Sequence, residues 1–129
     1  MVRTFTLSLL ALCLLAAPAA VLADDAGTAA GLVGKWDGQW EFGEIKGNLT
    51  VKITAAKDAG VEGEMTWFGT AAGDVTERFK VAKVKGQQLK VSGDAMSFVA
   101  TVSGDGKSMD GKWTNDTGVS GPLKVKKAE

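Results

Sequence analysis

A chain of 129 residues with 15 basic and 15 acidic side chains, one cysteine and no histidine is restricted in its chemistry. Its charge balance offers nothing to a nucleic acid. Without histidine, the usual general base, the serine and cysteine triads and the common zinc sites all lack their central member.

Residues 1–23 read as a secretory signal peptide. Arg3 starts it, Phe5 to Ala17 is apolar apart from Thr6 and Ser8, and Val21-Leu22-Ala23 places small residues where signal peptidase needs them. Cleavage is expected after Ala23, giving a periplasmic or secreted protein. The apolar run is too short to cross a bilayer and nothing downstream is longer, so no membrane span is expected. Leu12 stands before Cys13 where a lipidation site needs a small residue. Cys13 and Arg3 leave with the leader, so the remaining chain has no disulfide and a slight excess of carboxylates.

Residues 24–33 (DDAGTAAGLV) are small and polar, which predicts a flexible segment with Leu32 and Val33 able to tuck against the fold. From residue 34 to 129 one domain is expected, because alternation of period two takes over. Trp36, Gly38, Trp40 and Phe42 share one face of a first strand. Ile45, Gly47, Leu49, Val51 and Ile53 share one face of the second. The inward series continues through Val61, Gly63, Met65 and Trp67, then Phe79 and Val81, then Leu89 and Val91, then Met96, Phe98, Ala100 and Val102. It ends with Met109, Gly111 and Trp113, and with Val119, Gly121, Leu123 and Val125. Turn chemistry at hairpin lengths separates these eight predicted strands: Gly43, Lys57 to Gly60, Gly69 to Asp74, Lys85-Gly86, Gly93-Asp94, Ser103 to Gly106 and Asn115 to Gly118. No connection is long enough for a crossover helix, so successive strands should pair antiparallel.

Outward charges agree with that order. Asp37 and Glu41 on the first strand precede Lys46 and Lys52 on the second, Glu62 and Glu64 on the third, then Arg78 and Lys80. Opposite charges across a strand pair contribute roughly 0.2–1 kcal/mol each. Lys124 and Lys126 on the last strand would complement the first if the sheet closes, and closure removes exposed edges. The expected fold is therefore all-β: an eight-stranded antiparallel up-and-down meander barrel.

Few residues suggest chemistry. Glu62 and Glu64 could divide acid and base roles, but their outward register keeps them solvated. Asp105 to Asp110 lacks the alternating oxygens of a calcium loop and reads as a tight turn. Asn48 and Asn115 match the glycosylation pattern, which matters only in a eukaryote. No catalytic residue, metal ligand or cofactor is expected, and the chain is read as a non-enzyme. The inward side chains Trp40, Phe42, Met65, Trp67, Phe98 and Trp113 either fill the barrel or line a pocket for a small apolar ligand, since an eight-stranded barrel is just wide enough for both. Glu77, inward at the start of the fourth strand, is expected at a rim in water; in a ligand cavity it would be the polar handle. Inward Gly38, Gly47, Gly63, Gly93, Gly111 and Gly121 could bend strands, seat the indoles or leave space. Arg78, Lys80, Lys90, Lys112, Lys124 and Lys126 face outward and serve solubility or meet an acidic surface or anionic lipid headgroup.

Gly34-Lys35-Trp36 opening the first strand of an eight-strand exported meander resembles the calycin group of lipocalins and avidins. The resemblance implies a closed barrel in which Trp36 packs across the base. It leaves the ligand open, because this chain lacks the lipocalin arginine near the last strand and has no tyrosine for an avidin-like pocket. The leading functional expectation is an exported, non-enzymatic module binding a small apolar ligand. The alternative is a protein-binding or inhibitor barrel acting through its hairpin tips, where Phe68 faces outward beside Gly69 to Asp74.

Overall fold

The computed structural model describes residues 25–128; the expected leader, its cleavage after Ala23 and Asp24 lie outside them. Nine strands follow one another: β1 (Gly34–Phe42), β2 (Ile45–Lys57), β3 (Gly60–Thr70), β4 (Gly73–Arg78), β5 (Val81–Lys85), β6 (Gln88–Ser92), β7 (Met96–Val102), β8 (Ser108–Asn115) and β9 (Ser120–Lys127). Each pairs antiparallel with its neighbours, and β9 returns to β1 with Trp40 opposite Leu123 and Asp37 opposite Lys126. The sheet is thus a closed barrel of eight antiparallel strands, the fourth of which is in two pieces.

The break is where the sequence expectation fails. β4 pairs with Glu64 to Thr70 of β3, while β5 meets β3 at Gly60. Between the pieces, the Phe79 N–H donates to the Gly63 carbonyl at 2.9 Å and the Lys80 N–H to the Ser92 carbonyl at 2.7 Å. Glu77 points inward on β4, but Ala82 and Val84 are the buried residues of β5. Odd numbers face in before the break and even numbers after it. Val81, expected inside, is therefore outside and 56% exposed, and Phe79 at the break is only half-buried. Strand β4 also begins at Gly73, inside the expected Gly69 to Asp74 turn, because GDVTER carries one strong apolar residue and little periodic signal.

The remaining faces follow the pattern. Trp36, Leu49, Val51, Met65, Trp67, Leu89, Val91, Phe98, Met109, Leu123 and Val125 are buried in one core. Outward charges meet in the expected sense: Glu41 opposes Lys46, with nitrogen and oxygen 3.7 Å apart, Lys52 opposes Glu64, and Glu64 opposes Arg78.

The wall curls tightly enough that several inward positions admit no side chain. A Cβ on Gly38 would lie against the Lys124 carbonyl and Val125 Cα, and one on Gly111 against the Val99 carbonyl and Ala100 Cα. These glycines bend strands at barrel corners. Gly47 and Gly121 additionally make room for the indoles of Trp40 and Trp113.

Hairpins β1–β2, β3–β4, β6–β7 and β8–β9 gather at one end, the mouth; the others gather at the base. The sequence reading takes 24–33 as a flexible segment; in the structure residues 25–31 form a short helix, α1, across the base. Ala29 and Leu32 are fully buried there while Val33 is exposed. The Asp25 carboxylate accepts from the Gly86 N–H at 2.8 Å, and Lys127 Nζ donates to the Gly31 carbonyl at 2.7 Å. Trp36 lies under this cap, its indole N–H donating to the Leu32 carbonyl at 2.9 Å.

Candidate functional site

Five of the seven sequence-predicted site residues, Trp40, Met65, Trp67, Phe98 and Trp113, come together inside the upper half of the barrel, all buried. They meet one another edge to face. Trp113 is the hub, with ring centroids 6.0 Å from Trp40, 6.3 Å from Trp67 and 6.2 Å from Phe42; Trp67 and Phe98 are 6.5 Å apart. Such edge contacts add about 0.5–1.5 kcal/mol each beyond the area they bury. These rings belong to the buried core of the barrel.

Two indoles also tie the rim together. Trp40 Nε1 donates to the Phe68 carbonyl and Trp113 Nε1 to the Glu41 carbonyl, each at 2.9 Å. Trp67 Nε1 is fully buried and has no partner among the described residues. An unpartnered donor costs about 1–3 kcal/mol, whereas hiding an indole of 150–250 Å² gains about 4–6 kcal/mol at 25 cal/mol per Å². Burial therefore outweighs the missing bond, and Trp67 stays inside.

Phe42 and Glu77 stand apart from the cluster's interior. Phe42 keeps the inward phase but lies beyond the end of the wall, 46% exposed over the edge of Trp113. Glu77, expected in water at a rim, is only 8% exposed. Its carboxylate accepts from the Ala95 N–H at 2.6 Å and the Met96 N–H at 3.1 Å. Strand β4 has a ladder partner on one side only, β3, and this carboxylate joins its other side to the β6–β7 turn. Both of its oxygens are engaged by main-chain amides of that turn. Lys80 reinforces the same seam by pairing with Asp94 at 2.6 Å, a hydrogen bond that holds its ammonium above the ordinary lysine pKa. Replacing Glu77 with Gln should lower stability by about 1.5–3 kcal/mol, the range for hydrogen bonds to a charged group. Equilibrium urea unfolding measures it, and an unchanged midpoint would show that the carboxylate does not hold the seam.

Sequence reasoning missed Ile45 as a surface residue. It follows the inward alternation, yet it is 57% exposed because it sits past the rim, directly opposite Phe42 across the β1–β2 tip. The signal available was its distance of two residues from Gly43, too near the turn for the wall to cover it. Phe68, read as outward, is partly exposed on β3 at the same end.

A larger recess lies at the base. A cleft of about 430 Å³ runs between α1 and the β7–β8 turn, lined by Gly27, Leu32, Val102, Asp105, Lys107 and Lys127 among others. Its Asp105 carboxyl is held below the ordinary value by the Ser103 hydroxyl and the Lys107 N–H. Among the described residues, no group of three or more His, Cys, Asp or Glu could hold a metal ion, and no helix is long and apolar enough to cross a membrane. No protein-family model matches the chain, and no curated protein matches it.

Proposed function

We propose that this chain is an exported, non-enzymatic binding module of calycin-like architecture that engages a protein partner through the mouth end of its barrel. The observation that carries the reading is the Phe42 and Ile45 pair, two large apolar side chains opposite one another and exposed at the β1–β2 hairpin tip. Trp113 meets the Phe42 ring edge to face, a contact that lowers the side-chain freedom Phe42 would lose on meeting a partner. Large apolar side chains standing together at a protein surface mark interaction sites more often than chance. A photoreactive amino acid at position 45 should give discrete covalent adducts in the exported fraction of producing cells. The same group at position 57, at the base, should not, and Phe42→Asp should abolish the adducts. Equal labelling from both positions, or none from position 45, would refute the reading.

A small apolar ligand inside the barrel is the second reading, favoured by the unpartnered donor of Trp67. Quenching of tryptophan emission on titration with a fatty acid or retinoid supports it; unchanged emission removes it.

A further inference from the structure

The outer face of β5 to β9 places lysines where a sheet would ordinarily avoid them. Lys83 stands directly opposite Lys90, Lys90 opposite Val99, and Val99 opposite Lys112. One row across four strands thus reads Lys83, Lys90, Val99, Lys112. The next row toward the base reads Lys85, Gln88, Thr101, Asp110, Lys124. Like charges directly opposite destabilise a strand pair. Among the described residues the ion pairs are Lys35 with Asp37, Lys46 with Glu41 and Lys80 with Asp94, so none of the three lysines in the first row is paired with a carboxylate, and the nearest one along β8 is Asp110 in the next row. The whole chain has as many carboxylates as cations, and the concentration on this wall is therefore not a by-product of composition.

Two further features share the face. Val81 is exposed at its β5 edge, and Val99, 39% exposed, lies amid the lysines. Between Lys90 and Lys112 lies a depression of about 80 Å³, lined also by Ser92, Ser97, Val99 and Thr114. The lysines and hydroxyl side chains lining this hollow carry the kind of donors that phosphate oxygens accept from, with the Ser97 hydroxyl at present donating to the Thr114 carbonyl. The row of lysines spans three strand spacings, about 14 Å, which exceeds a single phosphate and matches a surface presenting several.

We propose that this wall docks on a bilayer containing anionic phospholipids, with one headgroup phosphate in the hollow between Lys90 and Lys112. Lys83 and Lys85 reach neighbouring headgroups, and Val81 and Val99 enter the interfacial layer. A soluble anion would use the hollow alone, whereas a lipid surface uses the spread of charge and the exposed aliphatic side chains together. The mouth, with Phe42 and Ile45, stays clear of the membrane in this arrangement.

Flotation with vesicles tests it. The protein should float with phosphatidylcholine vesicles containing phosphatidylglycerol, not with phosphatidylcholine alone, and less as salt rises. The triple variant Lys83→Ser, Lys90→Ser, Lys112→Ser should bind the anionic vesicles roughly a hundredfold more weakly. A control removing equal charge from β2, Lys46→Ser, Lys52→Ser, Lys57→Ser, should bind as the parent does, and Val99→Asp should weaken binding without changing the circular dichroism spectrum. Absence of binding to anionic vesicles, equal loss in the control triple, or saturable binding of inorganic phosphate or heparin without vesicle binding would each overturn the proposal.

Discussion

Trp113→Ala is expected to lower the stability of the barrel by about 3–5 kcal/mol, the range for truncating a buried tryptophan or phenylalanine. The ring meets Trp40, Phe42 and Trp67 edge to face, and its N–H occupies the Glu41 carbonyl. Removing it therefore leaves a hole among three rings and an unpartnered acceptor at the rim. Domains of this size are stable by roughly 5–15 kcal/mol, so the variant should be marginal or unfolded at physiological temperature. Trp113→Phe keeps most of the ring contacts and loses chiefly the hydrogen bond, and should cost only about 1–2 kcal/mol. Equilibrium guanidinium unfolding separates the two. A loss below 1 kcal/mol for the alanine variant would mean that the upper interior relaxes around the gap and is not a packed core.

Gly38→Ala should be as damaging, although it adds a single methyl group. Overpacking usually costs about 1–3 kcal/mol, and Gly38 belongs at the upper end or beyond because the atoms its Cβ would meet, the Lys124 carbonyl and Val125 Cα, are backbone. A flexible side chain could move aside; a paired strand cannot without giving up its ladder. Since β1 is the strand through which the sheet closes on β9, the damage should concentrate there. Hydrogen exchange should show amides of the β1–β9 ladder losing protection ahead of those in β6–β7. The contrast is Gly43 in the β1–β2 turn, where φ is +60° and nothing lies within 4 Å: there asparagine, which tolerates that backbone region, should be accepted. Uniform loss of protection in the Gly38 variant would contradict a local origin.

Much of the architecture could be read from residues alone, because a barrel wall imposes one rule at every step. Trp36 to Phe42 and Met96 to Val102 alternate without interruption, and the pairing of Glu41 with Lys46 and Lys52 with Glu64 is visible as sign changes between neighbouring strands. The rule stops informing where the wall stops. Phe42 and Ile45 keep the inward phase and are nonetheless in water, since alternation says which way a side chain points but not what stands beside it. The break at Phe79-Lys80 was hidden for a related reason: with Val75 and Glu77 as the inward residues of a six-residue strand, nothing marked the change of phase. The helix over 25–31 is too short for a periodic signal, and its fit rests on Ala29 and Leu32 meeting the base. For the candidate site, Trp40, Met65, Trp67, Phe98 and Trp113 lie inside in the phase the alternation gives, whereas Phe42 lies past the rim and Glu77, expected in water, is buried. That Trp67, Phe98 and Trp113 touch one another, and that the Ala95 and Met96 amides engage Glu77, depends on rotamers and turn geometry which no spacing encodes.

Main-chain ladders join the strands of this wall, but along the outer side of β4 side chains make the joint. The Glu77 carboxylate accepts from the Ala95 and Met96 amides, and just beyond the strand Lys80 pairs with Asp94 of the same turn. On its other side β4 is laddered to β3, with Glu77 opposite Met65 and Val75 opposite Trp67, and Met65 and Trp67 are both fully buried. The seam joined by side chains thus lies one strand away from Trp67, whose buried N–H has no partner among the described residues.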